Sequence, residues 1–207
     1  MPHPSPLTTH RSNPAHPPPD DATSIADSLT HPETFALVFD RHADEIHAYV
    51  SRRLGPDLAD DIVSDTFLTA FRKRRTYDPT RPDARPWLYG IASRLIRDHH
   101  RSETRHNRLL ARTPAPGPAE PFDDRSAARV TSQRLQPRLA RVLARLSADD
   151  RDLLLLIAWA DLTYEECAIA LGIPVGTVRS RLHRVRAKIR RAFGGVDPTG
   201  VFEEGTA

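Results

Sequence analysis

The sequence predicts an all-α protein: two small helical domains joined by a flexible Pro-rich linker. Three observations carry this. Apolar residues recur at helical spacing in run after run, while no stretch sustains the period-two alternation of a strand and no internal repeat is present. Helix starts and stops punctuate the runs, as at Ser147-Ala-Asp-Asp150 and Thr163-Tyr-Glu-Glu166. Between the halves, TPAPGPAEPFDD (Thr113 to Asp124) holds four prolines and cannot continue a helix, so it reads as an extended connector.

In chain order, residues 1–29 are rich in Pro and His and nearly devoid of apolar side chains. No core offsets their ordering entropy, and they are expected to be a disordered tail. His3, His10 and His16 lack ligand spacing. Order is expected from Thr30-His-Pro-Glu33, which has the form of a capping box with Pro32 in the first turn. Phe35, Val38, Phe39, His42, Ile46, Tyr49 and Val50 mark the inner side of a first helix ending near Gly55-Pro56, with His42 at the core edge. A second helix, from about Asp57 to Arg74, turns Ala59, Val63, Phe67, Ala70 and Phe71 inward. A third, from about Pro86 to Arg105, does so with Leu88, Ile91, Ala92, Leu95 and His99. These helices form one bundle over 30–106.

The linker spans 107–134 and the second domain 135–193, with a tail at 194–207. Helical pattern resumes near Val130 and runs past Pro137 through Leu139, Val142, Leu143 and Leu146. Leu153 to Trp159 is an almost wholly apolar helix body. A short helix holding Cys167, Ala168, Ala170 and Leu171 follows, then the turn Gly172-Ile-Pro174 and a last helix with Val178, Leu182, Val185, Ile189 and Phe193 on one stripe.

Bulk composition excludes several classes. The 207 residues carry 30 Lys+Arg against 27 Asp+Glu, a net charge of +3, so the chain is no general polycation. Its charge is segregated instead, with acids at Asp57 to Asp65 and at Glu203 and Glu204 and the basic runs elsewhere. The single cysteine, Cys167, excludes an internal disulfide and a Cys-rich zinc site and fits a reducing cytoplasm. Cys167 reads as a small buried apolar residue, ahead of a redox sensor. No apolar run is long enough for a membrane span, and the N-terminus lacks a signal-peptide core. The expected location is the cytoplasm, with no metal, no cofactor and no enzymatic activity.

The segment GTVRSRLHRVRAKIRR, Gly176 to Arg191, holds seven Lys or Arg and no acid. A solvated helix face normally interleaves acids with bases, so this repulsion requires an external polyanion. A short helix, a Gly turn and such a basic helix make a helix-turn-helix whose second helix enters the major groove. Arg179, Ser180, His183 and Arg184 face outward near its N-terminal half, within reach of base edges. Arg181, Arg186, Lys188 and Arg190 are placed at phosphates. On the third helix, Arg94, Arg97, Arg101 and Arg105 form a second basic stripe near Trp87 and Tyr89, an arrangement suited to single-stranded bases. Trp87 serves equally as a core residue.

Asp57, Asp61 and Asp65 share a face, with Asp60 beside them. The helix dipole accounts for Asp57, Asp60 and Asp61 without function. A metal-dependent nuclease needs carboxylates converging from separate elements. An acidic patch docking a basic protein surface is the favoured reading.

DLADDIVSDTFLTAFRKR, RPWLYGIASRLIRDHHR and LSADDRDLLLLIAWADLTYEECAIALGIPVGTVRSRLHRVRAKI, in that order, resemble the extracytoplasmic-function (ECF) sigma factors of the sigma-70 superfamily. The resemblance spans roughly Pro32 to Phe193. It implies a factor that binds core RNA polymerase, selects promoters and helps open the DNA for transcription initiation. By position, Asp60, Asp61, Asp65 and Phe67 would face or shape the polymerase contact. Trp87, Tyr89, Arg94, Arg97 and Arg101 would lie at the melted minus-ten strand. Arg179, Ser180, His183 and Arg184, with Arg181, Arg186 and Lys188, would lie at the minus-thirty-five duplex. Many members carry Asn where this chain has Arg94, so minus-ten preference does not transfer. Asp161 occupies a turn position where Gly or another small residue is common. An anti-sigma partner is a family-level expectation. The alternative is a polymerase-independent helix-turn-helix regulator, which leaves the acidic helix and the Trp87–Tyr89 helix without roles.

Overall fold

The computed structural model describes residues 19–110 and 137–193, apart from the side chains of 108–110 and 137–140. All regular structure in these residues is helical, as expected. The stretches 1–18, 111–136 and 194–207, which include most of the expected tails and linker, lie outside the described residues.

Order begins earlier than the composition suggests. Helix α1 (Asp21–Asp27) opens on Asp20, whose side chain accepts the Thr23 backbone N–H at 2.7 Å. Ile25 is its apolar anchor, 2% exposed. Asp21 adds a polar one, accepting the backbone N–H of Ala84 at 2.8 Å and a hydrogen bond from Arg41 at 2.6 Å. The expectation of disorder is corrected for residues 19–29: buried Ile25 and Ala22 and one multiply bonded Asp hold a segment that is otherwise largely polar. The expected Thr30–Glu33 capping box does not form either. The Thr30 and His31 amides close the end of α1 on the Asp27 carbonyl, and a 3-10 turn, Pro32–Phe35, follows with no side-chain cap.

Three long helices make the N-terminal bundle: α2 (Ala36–Leu54), α3 (Pro56–Lys73) and α4 (Arg85–Leu110). Gly55, at φ 94°, turns α2 directly into α3, where Pro56 takes the first position that needs no N–H donor. The predicted inner residues Val38, Ile46, Tyr49, Val50, Ala59, Val63, Phe67, Ala70, Leu88, Ile91 and Ala92 are buried. Phe39 is not; it is 44% exposed and lays its ring edge against Phe67 at 4.8 Å. Helix α4 continues to Leu110, past the expected domain end at 106.

The C-terminal bundle comprises α5 (Pro137–Ala144), α6 (Ala148–Ala160), α7 (Tyr164–Leu171) and α8 (Val175–Ala192). Ser147 caps α6 by accepting the Asp150 N–H. Thr163 and Glu166 form the predicted reciprocal box at α7, and Gly172 ends α7 in the left-handed conformation at φ 65°. Asp161 ends α6 at φ 52° and is the non-glycine residue with positive φ among the described residues. Asp is one of the few non-glycine side chains that tolerates this region. Val178, Leu182, Val185 and Ile189 of α8 are all buried, so the predicted stripe is the helix's inner face.

A small core of Leu143, Leu146, Leu154, Val185 and Ile189 belongs to this bundle alone. The main core does not stop at the domain boundary. It runs from Ile46, Tyr49 and Leu88 into Leu153, Leu156, Cys167, Ala170 and Leu182.

Candidate polymerase and promoter interface

Charge on the surface sorts by helix. On α3, Asp57, Asp60, Asp61 and Asp65 are all exposed, while Ile62, Val63, Thr66 and Phe67 hold the opposite side in the core. The Asp60 carboxylate lies 3.2 Å from His47 of α2, across an open surface. Phe67 is 5% exposed, so it supports this face from beneath and does not form part of it. Leu68, 45% exposed, adds an apolar residue to the rim.

On α8, Arg179, Ser180, His183 and Arg184 are exposed, as the helical spacing requires. Arg179 makes a loose ion pair with Glu165 of α7 at 3.6 Å, and Arg184 reaches back to the Ser180 carbonyl at 3.4 Å. The residues assigned to phosphates are more engaged. Arg181 lies 3.4 Å from Asp149, Arg186 donates to the Tyr164 hydroxyl at 2.9 Å, and Lys188 stands 3.7 Å from Asp150. Arg190 is exposed.

Helix α4 is divided between surface and core. Arg94, Arg101 and Arg105 are exposed. Trp87 is partly buried, with its ring 5.0 Å from that of Tyr77. Tyr89 differs from the expectation that it stands at a single strand. It is 2% exposed, with its ring edge-on to Tyr49 at 5.1 Å, and burial pushes its phenol up to about 12. The cause is packing: residues 88–93 of α4 are all buried, and at Tyr89 the helix lies against Tyr49 of α2. Arg97 is half-buried and held by Asp149 and Asp152 of α6. Periodicity within α4 gives no sign of these partners, which come from the other bundle.

Cys167 is fully buried, and burial pushes its thiol up to about 12, so it is an inert core group. Among the described residues, Asp21, His42 and Asp83 offer ligand atoms within 4.8 Å of one another. They are already committed. His42 contacts Asp21 through Nε2 and Glu45 through Nδ1, each at 2.7 Å, and Asp83 accepts the Arg85 N–H at 2.8 Å. Two carboxylates can only accept, so the ring between them is a doubly donating imidazolium. A metal ion would have to displace it.

Comparison with known proteins decides what these surfaces belong to. Sigma-70 region 2 matches residues 38–106 and sigma-70 region 4 matches 137–189. RNA polymerase sigma factor CarQ of Myxococcus xanthus is 30% identical over 166 residues, covering 80% of this chain and 92% of CarQ. The chain belongs to the ECF sigma factors of the sigma-70 family. The sigma factor NccH of Alcaligenes xylosoxydans is 31% identical over 167 residues, covering 75% of this sigma factor and 84% of NccH. The structure of CnrH in complex with the cytosolic domain of CnrY is 26% identical with a TM-score of 0.58, covering 86% of this chain and 99% of CnrH. RpoE of Bartonella quintana, at 22% identity and a TM-score of 0.54, shares the fold; it covers 77% of this chain and 96% of its own.

This sigma factor therefore binds core RNA polymerase and promoter DNA and directs initiation at specific promoters. The N-terminal bundle is region 2 and the C-terminal bundle region 4. No helix among the described residues is long and apolar enough to cross a membrane.

Proposed function

We propose a division of labour among three helices of this sigma factor. The acidic face of α3, Asp60, Asp61 and Asp65 over Phe67, docks core RNA polymerase. Helix α8 enters the minus-thirty-five major groove, with Arg179, Ser180, His183 and Arg184 toward base edges and Arg181, Arg186 and Lys188 toward phosphates. Helix α4 meets the unpaired minus-ten strand through Arg94, Arg97 and Arg101 with Trp87, while Tyr89 supports it from the core. The observation that carries this reading is the segregation of charge onto separate helices, four exposed acids on α3 and an acid-free cationic face on α8. One polymerase face and one DNA face are what an initiation factor needs. A regulator acting without polymerase would leave the α3 face without a partner.

The protein works in the cytoplasm and has no enzymatic activity of its own, the chemistry of RNA synthesis belonging to the polymerase. Away from polymerase it is held by an anti-sigma partner. The complex of CnrH, 26% identical, with the cytosolic domain of CnrY supports this.

The assignment of α4 is tested by permanganate footprinting of unpaired thymines in holoenzyme–promoter complexes. Arg94→Ala with Arg101→Ala removes two exposed cations without touching the core. Strand opening is expected to drop about tenfold, and the salt slope of opening by about 1.4, the share of two single-strand phosphates. The minus-thirty-five footprint stays unchanged. Full opening by the double variant contradicts the placement of α4.

A further inference from the structure

The start of α4 is held by a circuit of hydrogen bonds that begins in α1, ahead of the stretch matched to region 2. Residues 77–84 connect the end of α3 to α4. Within this connector the Asp78 carboxylate accepts the Thr80 N–H at 3.1 Å and Arg81 Nε at 2.9 Å, and the Tyr77 hydroxyl donates to the Arg81 carbonyl at 2.6 Å. Helix α1 fixes the far end. The Asp21 N–H donates to the Pro82 carbonyl at 3.1 Å, and Asp21 Oδ2 accepts the N–H of fully buried Ala84 at 2.8 Å. The Ala84 carbonyl then opens α4 by accepting the Leu88 N–H at 2.9 Å.

From Asp21 the circuit returns to the next residue of the chain. Oδ2 also accepts from His42 Nε2, and His42 Nδ1 donates to Glu45 Oε1, each at 2.7 Å. Glu45 Oε2 accepts from Arg85 Nε at 3.0 Å. Ala84 and Arg85 are thus gripped from α1 and α2 by three ionised side chains in series. Asp21 and His42 are 5% and 7% exposed, so water competes little for these bonds. Two residues further on stands Trp87, its ring against Tyr77 of the connector. Apolar packing of Leu88, Ile91, Ala92 and Ile96 already seats α4 in the bundle. What linked charges add to such packing is direction.

We propose that Asp21, His42 and Glu45 are positioning residues for strand opening: they set the connector and the Trp87 end of α4 in the orientation that meets the unpaired minus-ten strand. The proposal rests on the assignment of α4 to that strand. His42 is the donor that joins the two carboxylates. The other charged or titratable groups around it are Arg41 of α2, which donates to Asp21 Oδ1 at 2.6 Å, Tyr77 and Asp83 of the connector, and Arg85 and Tyr89 of α4. Both arginines stay charged, and burial holds both phenols above their usual range. Asp83 accepts the Arg85 N–H. His42, raised to about 9, is therefore the member that changes state between pH 7 and 9.5, and a neutral ring can donate to one carboxylate only.

Permanganate footprinting of promoter complexes formed by holoenzyme carrying wild type, His42→Gln or Glu45→Gln tests the proposal. Gln at 42 donates to one carboxylate but not to both; Gln at 45 keeps an acceptor for His42 and loses the charge that holds Arg85. The apparent grip on the strand falls with the fraction of molecules whose connector stays set, so thymine reactivity at pH 7 should drop about tenfold in both variants. Co-migration with core polymerase and the minus-thirty-five footprint stay as in wild type. The ratio of wild-type to His42→Gln opening should fall toward one as pH passes 9, the polymerase's own response to pH cancelling in the ratio.

If these residues only stabilised the bundle, variants that fold and join the core would open DNA as wild type does. Should His42→Gln fail to join the core, Glu45→Gln, at a half-buried position, carries the test. Wild-type opening by the variants, while Arg94→Ala with Arg101→Ala opens poorly, overturns the positioning role and leaves the α4 assignment standing. Wild-type opening by all of them overturns the α4 assignment and this proposal together. A ratio that holds constant to pH 9.5 overturns the part given to His42.

Discussion

Arg179→Ala with Arg184→Ala leaves a holoenzyme that assembles normally but no longer holds its minus-thirty-five element. Both side chains are exposed on α8, and the stripe that packs the helix, Val178, Leu182, Val185 and Ile189, is untouched. The loss is therefore one of recognition, not of folding. An arginine that grips a guanine edge contributes about 1 to 3 kcal/mol of discrimination, so two together lower promoter affinity on the order of a hundredfold or more. The measurement is equilibrium binding of the variant holoenzyme to promoter duplex across a salt series. Base-edge roles predict loss on the cognate site with little change on random sequence. Phosphate roles predict equal loss on both, with the salt slope reduced by about 0.9 per contact.

Stability should fall as pH rises from about 6.5 to 9, because one imidazolium joins α1 to the bundle. Burial alone would lower the His42 pKa, but hydrogen bonds to Asp21 and Glu45 and their charges raise it from 6.5 to about 9. A raised folded-state pKa means the contribution is complete below 6.5 and is lost as pH climbs through 9, an effect of up to about 3 kcal/mol. Asp21 works in the opposite direction. Burial alone would raise its pKa, but the bonds from His42, the Ala84 N–H and Arg41 bring it from 3.8 to about 2. Its share is present above 3.8 and is lost only as pH falls through 2. Denaturant melts of wild type across pH 6 to 10 should show the alkaline decline. His42→Gln, which can donate to one carboxylate but not to both, should start about 2 kcal/mol lower at pH 6.5 and run flat to about pH 8.5, above which ionisation of the Cys167 thiol in the unfolded chain lowers the stability of both proteins. An equal alkaline slope in both proteins would remove His42 as its source.

What was legible in the sequence was what local periodicity and capping chemistry record. The stripe from Val178 to Ile189, the Thr163–Glu166 box and the turn at Gly172 appear as the residues imply, since each is settled within a helical turn or two. Helix α1 was not legible, because its stability comes from Asp21 meeting His42 and Ala84, 21 and 63 residues away. Ile25 alone is too weak a signal to mark a helix. Phe39 was misplaced because an aromatic ring can cover an edge of the core while staying 44% exposed.

The surfaces were legible to the same extent. Outward residues of α3 and α8 could be named from spacing, since charge in a helical pattern marks the solvent side. The engagement of Arg97 and Arg181 by Asp149 could not be, because it joins three helices across two bundles. Nor could Gly90, which in a helix reads as a small propensity penalty until Ala170 is seen against it. Tyr89 shows the limit of motif reading: its position in the helix suggested stacking on bases, and its packing against Tyr49 places it in the core.

The most direct test of the account is co-migration of the purified protein with bacterial core RNA polymerase on a sizing column, beside an Asp61→Arg, Asp65→Arg double variant. Both positions are exposed on α3, so the variant should fold as wild type does. The account predicts that wild type joins the core enzyme and the variant elutes alone. A variant that joins as well as wild type would contradict the assignment of the α3 face, and a wild type that stays apart while binding promoter duplex by itself would contradict the account as a whole.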